Sequence, residues 1–389
     1  MSWRRNHPVM VVEAQTTGAL AVIRSLGRAG YPVHAVSHQV GALGLLSRFA
    51  SAHAVAPHAS EPGYLDWLRR YVDAHGIEAI VPSESFLLAI RAAFAELAHL
   101  LPTGNEEVLY AGMSKYDLFS QLAGAPHLPP TLLLADTRVL PSLHALERLG
   151  APLYVKSDGT HATAGEAGHV YACADADAAL LRIQKLAPRF RKLLVQGHVN
   201  GRGVGAFFLR WKGELLAEFM HRRLHEVPHT GGVSSLRESW FHPAIREDAL
   251  DKLRAMRWDG VAMMEYRWDP ETERFHFLEM NGRFWGSLHL ALQSGVDFPR
   301  LLLDAFFGRS ERAPADFPLG VRCRHTFPME VQYVWSRLKD AQLPVRARAW
   351  SALEFFLLGA DPRVYSDLSF AGDRGLWVEG LRRFAAEFL

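Results

Sequence analysis

The chain has 389 residues, of which 49% are hydrophobic and 22% charged, and its formal net charge is +2. That length supplies two or three packed units, and so small a charge excludes the strong positive field that gathers nucleic acid or anionic membrane. Two cysteines, Cys173 and Cys323, lie far apart; they make no disulfide framework and fit a reducing, cytoplasmic setting.

The positively charged start, residues 1–8, leads into an apolar run too short for a signal peptide. Residues 9–14 read as a buried strand. Thr16-Thr17-Gly18 opens a helical pattern that runs to about Arg28 and ends at Gly30-Tyr31-Pro32. Strand follows at 33–37, amphipathic helix at 64–75, strand at 77–82 and helix at 86–97. This alternation predicts a parallel, doubly wound α/β unit over 8–108. Ser83-Glu84-Ser85 falls at a strand end, where open sheets gather ligand sites.

From about 128 the pattern changes to α+β. Short strands at 132–134, 154–156, 169–173 and 193–196 surround a helix at 176–186. Longer strands at 205–211, 214–221, 260–268 and 274–280 are joined by turn signals at 211–214 and 269–273. The polar, proline-bearing stretch 309–318 reads as a linker, and the apolar stretch 349–358, too short to span a membrane, as a buried helix. The second unit is taken as 109–308, with a smaller subdomain at about 128–195, and 309–389 as a C-terminal extension.

The strongest chemical signal is Phe277-Leu278-Glu279-Met280-Asn281-Gly282-Arg283. Strand alternation puts Glu279 and Asn281 on one face. A carboxylate and an amide oxygen at that spacing suit a hard cation such as Mg²⁺. Glu265 ends the neighbouring strand, so the hairpin brings two carboxylates together, and such a pair calls for a cation. Arg283 lies on the same face and can clamp a phosphoryl group.

A second constellation runs from His221 to Ser239. One of Arg222 and Arg223 must face solvent if this segment is a strand; Arg222 is taken as the inward one, with Arg237, as an anion binder. Gly231-Gly232 is read as a backbone nest, and Trp285 as a pocket wall. Pro228 and the two glycines spoil the helix that would align His221, His225 and His229 for zinc. Gly201-Arg202-Gly203-Val204-Gly205 lacks the strand-to-helix setting of a dinucleotide loop.

In this order the pieces resemble the ATP-grasp superfamily, and most of all its carboxylate–amine ligases. Ser114-Lys115-Tyr116-Asp117 is similar to the segment that gives the first nucleotide lysine. Pro152 to Lys156 is similar to the strand that delivers the second. Residues 157–165 resemble the lid loop over the phosphates, and Gln196-Gly197-His198-Val199 the hinge that holds adenine. The resemblance covers about 8–308 and implies a Rossmann-like domain followed by an ATP-grasp fold. It departs at two places: Gly197 stands where the hinge usually has glutamate, and Gly282 where proline usually follows the asparagine.

The resemblance implies that Lys115, Lys156, Gly159 and the hinge hold ATP, and that Glu265, Glu279 and Asn281 hold Mg²⁺, with Mn²⁺ as an alternative. Arg283, Arg222 and Lys156 would act in catalysis; Arg222, Gly231, Gly232, Arg237 and Trp285 would meet substrate. The implied reaction joins a small-molecule carboxylate to an amine through an acyl phosphate, with no nucleic-acid or membrane partner. Two other readings stand beside it: a kinase whose acceptor keeps the phosphate, and a non-catalytic ATP-binding regulator. For 309–389 the sequence leaves open a cover for the acceptor site or a homodimer contact.

Overall fold

The computed structural model describes residues 6–164, 166–229 and 232–388. Strands β1 (Val9–Val11), β2 (Val33–Ser37), β3 (Ala52–Val55) and β4 (Ala79–Val81) form a parallel sheet in the order β3-β2-β1-β4. Every residue of β1, β2 and β4 is buried, as a parallel sheet covered on both faces requires. The edge strand β3 is only half-buried, and its weak pattern hid it from the sequence reading. Helix α1 (Thr17–Ala29) opens where the Thr16 hydroxyl accepts from the Ala19 N–H and closes at Gly30 with φ 94°. Helix α2 (Tyr64–His75) has the expected limits. The helix expected at 86–97 is instead α3 (Glu84–Ala89), a 3₁₀ turn (Arg91–Ala93) and α4 (Phe94–Leu97). The order of this sheet reverses between β1 and β4, which opens a crevice at their carboxyl ends.

Helices α5 (Glu106–Met113) and α6 (Lys115–Gln121) lead into a small antiparallel sheet. It comprises β5 (Thr131–Leu134), β6 (Leu153–Lys156), β7 (Val170–Cys173) and β8 (Leu193–Gly197), ordered β5-β8-β6-β7. One face, with Leu153, Val155, Leu193 and Val195, packs with Leu146 of α7 (Leu143–Glu147) and Ile183 of α8 (Ala176–Leu186). The register puts Tyr154, Lys156, Leu194 and Gln196 on the opposite face.

The central sheet has the order β13-β12-β9-β10-β11-β14-β15. Its strands are β9 (Arg202–Trp211), β10 (Glu214–Val227), β11 (Val233–Ser239), β12 (Gly260–Trp268), β13 (Phe275–Asn281), β14 (Arg322–Arg324) and β15 (Val364–Ser366). One face buries Ala206, Phe208, Met264 and Tyr266 with Ile245, Ala249 and Leu253 of α9 (Pro243–Ala255). The other joins Phe207, Leu209 and Met263 to α10 (Leu288–Gln293), α11 (Phe298–Phe306) and the first sheet. Each such buried phenylalanine contributes about 1.5–3 kcal/mol. Both cysteines are free and buried.

The C-terminal segment enters this sheet. Residues 309–321 carry no helix or strand, but β14 pairs with β11 and β15 with β14. Helices α12 (Val331–Lys339), α13 (Val345–Ala360) and α14 (Gly375–Phe388) complete it. The stretch 349–358, expected as a buried helix, lies in α13, but only Leu358 among its large apolar side chains is buried. No helix among the described residues is long and apolar enough to cross a membrane.

Candidate active site

The hairpin β12–β13 sets Glu265 directly opposite Glu279 and Met263 opposite Asn281. Asn281 Nδ2 donates to Glu265 Oε1 at 3.3 Å, and Arg223 pairs with the other oxygen. Lys115 Nζ lies 3.6 Å from Glu279 Oε2. Burial pushes the Glu265 carboxyl up despite Arg223. Burial pushes Glu279 the same way, but Lys115, Lys156, Arg223 and Arg283 hold it below the usual range. Lys115 and Arg223 thus supply positive charge beside the two carboxylates. No cluster of three or more His, Cys, Asp or Glu that could hold a metal exists among the described residues. The donors here are two carboxylates and one amide, a set of oxygens that fits Mg²⁺.

The two lysines arrive from different elements. Lys115 opens α6, whose N-cap Ser114 accepts from the Asp117 N–H. Glu279, Glu84 and Asp158 overcome the burial penalty on its charge. Lys156 ends β6; burial is the largest influence on it and lowers its pKa to about 8. The loop after β6 is clipped to α6: Ser114 Oγ donates to Asp158 Oδ2 at 3.2 Å, and His161 Nε2 lies 2.7 Å from Asp117 Oδ2. Gly159 lets this loop close on the first unit, because a Cβ there would stand 2.9 Å from Leu88 Cδ1. Gly165 lies outside the described residues.

At the hinge, Gln196 shares a sheet face with Lys156. Its Nε2 donates to Thr131 Oγ1 at 3.2 Å, while its buried Oε1 has no partner. His198 is exposed and stacks on Tyr154, and Val199 is half-buried. Both departures from the family pattern have a steric cause. A Cβ on Gly197 would lie 2.0 Å from the Leu149 carbonyl oxygen, and one on Gly282 would lie 2.4 Å from the Trp258 ring.

A cavity of about 930 Å³ extends from the metal candidates to the β1/β4 crevice. Glu265, Glu279, Asn281, Arg283, Arg223, Gly232, Arg237 and Trp285 all line it. Trp285 is also core, packing on Phe207 with centroids 4.5 Å apart. Gly231 lies outside the described residues. Arg222 is a correction: it does not face the cavity. Strand β10 runs through to Val227, so Arg222 and Arg223 point to opposite faces. The register pairs Arg222 with Glu238 and Arg223 with Arg237. Arg222 is held by Glu238 at 2.6 Å, and Glu238 also accepts from Arg322 at 2.8 Å. Arg223 takes the inward place.

The sequence reading missed several lining residues. Glu13 follows β1, and its strand-end position was the available signal; the Ser85 hydroxyl, from the strand-end stretch marked in the sequence, donates to it. His221 is buried with neither ring nitrogen partnered, and burial drives its pKa well below the ordinary value. The 201–205 glycines make room for this wall: a Cβ on Gly203 would meet Arg223 Cδ at 2.7 Å, and one on Gly205 His221 Nε2 at 3.1 Å. His325, Met329 and Asp367 come from the C-terminal segment. Asp367 pairs with buried Arg237, and burial is outweighed by Arg237, His325 and His289, which hold its carboxyl far below the usual range.

The family described as "ATP-grasp in the biosynthetic pathway with Ter operon" matches residues 189–327. No curated protein matches the chain. Among solved structures, an L-amino acid ligase from Bacillus licheniformis is 16% identical, with TM-score 0.60 over 79% of this chain and 76% of the other. A biotin carboxylase from Campylobacter jejuni is 16% identical, with TM-score 0.62 over 81% and 74%. An N5-carboxyaminoimidazole ribonucleotide synthetase in its ADP complex is 12% identical, with TM-score 0.65 over 92% and 99%. The central strands thus carry an ATP-grasp family match, and the chain shares the fold of these three enzymes.

Proposed function

We propose that the protein is an ATP-dependent carboxylate–amine ligase. The observation that carries this reading is the convergence of Lys115, Lys156, Arg223 and Arg283 on the facing pair Glu265 and Glu279, beside a large cavity. Lys156 and Lys115 would bind the phosphates of ATP as compact point charges. The unpartnered Gln196 Oε1 offers an acceptor to the adenine amino group. Glu265, Glu279 and Asn281 would hold Mg²⁺, which when bound neutralises charge on the transferring phosphoryl group.

The chain's own residues then do three things. Arg283 and Arg223 orient the substrate carboxylate and the phosphoryl group it receives. The cavity walls, among them Trp285 and Phe284, shield the acyl phosphate from water. The far end of the cavity, with Glu13, Arg237 and His325, admits the amine that displaces phosphate. Support for a ligase comes from the fold, shared with an amino acid ligase, a biotin carboxylase and an N5-carboxyaminoimidazole ribonucleotide synthetase. The test is ¹⁸O transfer. In a ligase, a carboxylate oxygen-18 label appears in the released phosphate; a stable phosphoester with no labelled phosphate would mark a kinase and overturn the reading.

A further inference from the structure

Helix α13 has one face seated on the protein and an apolar face turned outward. Its inner face is anchored: Ser351 Oγ accepts from Arg337 Nε at 2.6 Å, Arg324 donates to the Phe355 carbonyl at 2.9 Å, and Leu358 is buried. Glu354 lies 3.6 Å from His225 of β10. The outer face carries Ala349, Trp350, Leu353, Phe356, Leu357 and Ala360, all exposed. These recur at helical spacing with no charge among them, and Phe356 is 70% exposed, Trp350 53% and Leu353 50%. Trp335 and Leu338 of α12 are exposed beside them. A contiguous exposed apolar patch of this kind marks an interaction surface.

We propose that this face is covered by a second copy of the chain, with the two α13 helices antiparallel about a two-fold axis at Leu353. The argument is self-complementarity. Antiparallel pairing centred on Leu353 sets Trp350 against the partner's Phe356, and small Ala349 against the partner's Leu357. It also brings Arg346 to the partner's helix end, where the last carbonyls and Asp361 are negative. A parallel pair would instead stack Arg346 and Arg348 of both copies. Residues 331–361 hold four basic and three acidic side chains, so a membrane, which favours a strongly basic rim, is the poorer occupant. Helix α13 packs on α12, which packs on β10, the strand that carries Arg223, and Glu354 reaches His225 of the same strand, so the dimer would brace one wall of the cavity.

The test uses sedimentation equilibrium of the full chain, without substrate. It is therefore independent of the ligase reading. The expected result is twice the 43.5 kDa chain mass. Leu353→Glu, an exposed position, should keep the far-UV circular dichroism and weaken self-association by about a hundredfold, since both copies lose the contact. In Leu353→Cys the native thiols Cys173 and Cys323 are buried, so a short bismaleimide should link Cys to Cys across the axis. A monomeric wild type, a dimer untouched by Leu353→Glu, or a monomer that co-sediments with phosphatidylglycerol vesicles would each overturn the proposal.

Discussion

Arg223 and Arg222 differ only in which way a strand turns them, and that difference fixes their roles. Replacing Arg223 with alanine removes a cation from beside Glu265 and should cost about 2–4 kcal/mol of transition-state stabilisation. Arg222→Ala breaks a half-exposed pair with Glu238 and should change kcat/KM less than about threefold. Steady-state kinetics of the two variants checks this, and the reverse ranking would refute it. Lys156 gives a pH signature. Its pKa of about 8 means the charge is full below that value and lost above it. KM for ATP should therefore climb as pH passes 8, and Lys156→Arg, which keeps its charge, should flatten the profile. At Gly197, restoring the family's glutamate should lower Tm rather than improve nucleotide binding, because the Leu149 carbonyl occupies the space; such overpacking costs about 1–3 kcal/mol. The nearness of Glu265, Glu279 and Asn281 was legible from period-two alternation and a hairpin, whereas Lys115 and Lys156 were legible only through the family resemblance. The sequence reading turned Arg222 inward where the structure turns Arg223, because a register is a tertiary property that no local pattern encodes.

Among the elements, strands β1, β2 and β4 and helices α1 and α2 were legible from unbroken apolar runs and cap residues. Strands β14 and β15 were not: each has three residues, and neither Arg322-Cys323-Arg324 nor Val364-Tyr365-Ser366 makes the apolar run that marks β1 and β4. They nevertheless carry the C-terminal segment to the cavity, where Asp367 meets Arg237. The same segment holds β10 through His225. Burial would depress this imidazole, yet hydrogen bonds to Glu330 and Glu354 lift its pKa to about 9. A raised histidine stabilises fully below its unfolded value of about 6.5 and loses that contribution as pH rises through 9. Tm should fall across this window, by at most about 3 kcal/mol of stability. In His225→Gln that part of the slope should vanish; an unchanged slope would show that other groups cause it.

At the scale of the whole molecule, three bodies meet at one place. The crevice of the first sheet faces the cavity wall of the central sheet, and the small sheet brings Lys156 to the Glu265–Glu279 pair. The C-terminal segment closes the far end with His325, Met329 and Asp367. The end of this arrangement with Lys115, Lys156 and the Glu265–Glu279 pair follows superfamily spacing. The acceptor half depends on residues from four separated stretches, which only the folded chain assembles. The measurement that bears most directly on the account is release of ADP and phosphate from Mg-ATP over a pooled set of carboxylic acids and amines, for wild type beside Glu279→Gln. The account predicts release that requires one acid and one amine and disappears in the variant. Equal release from both proteins, or none from wild type while ATP still binds, would contradict it.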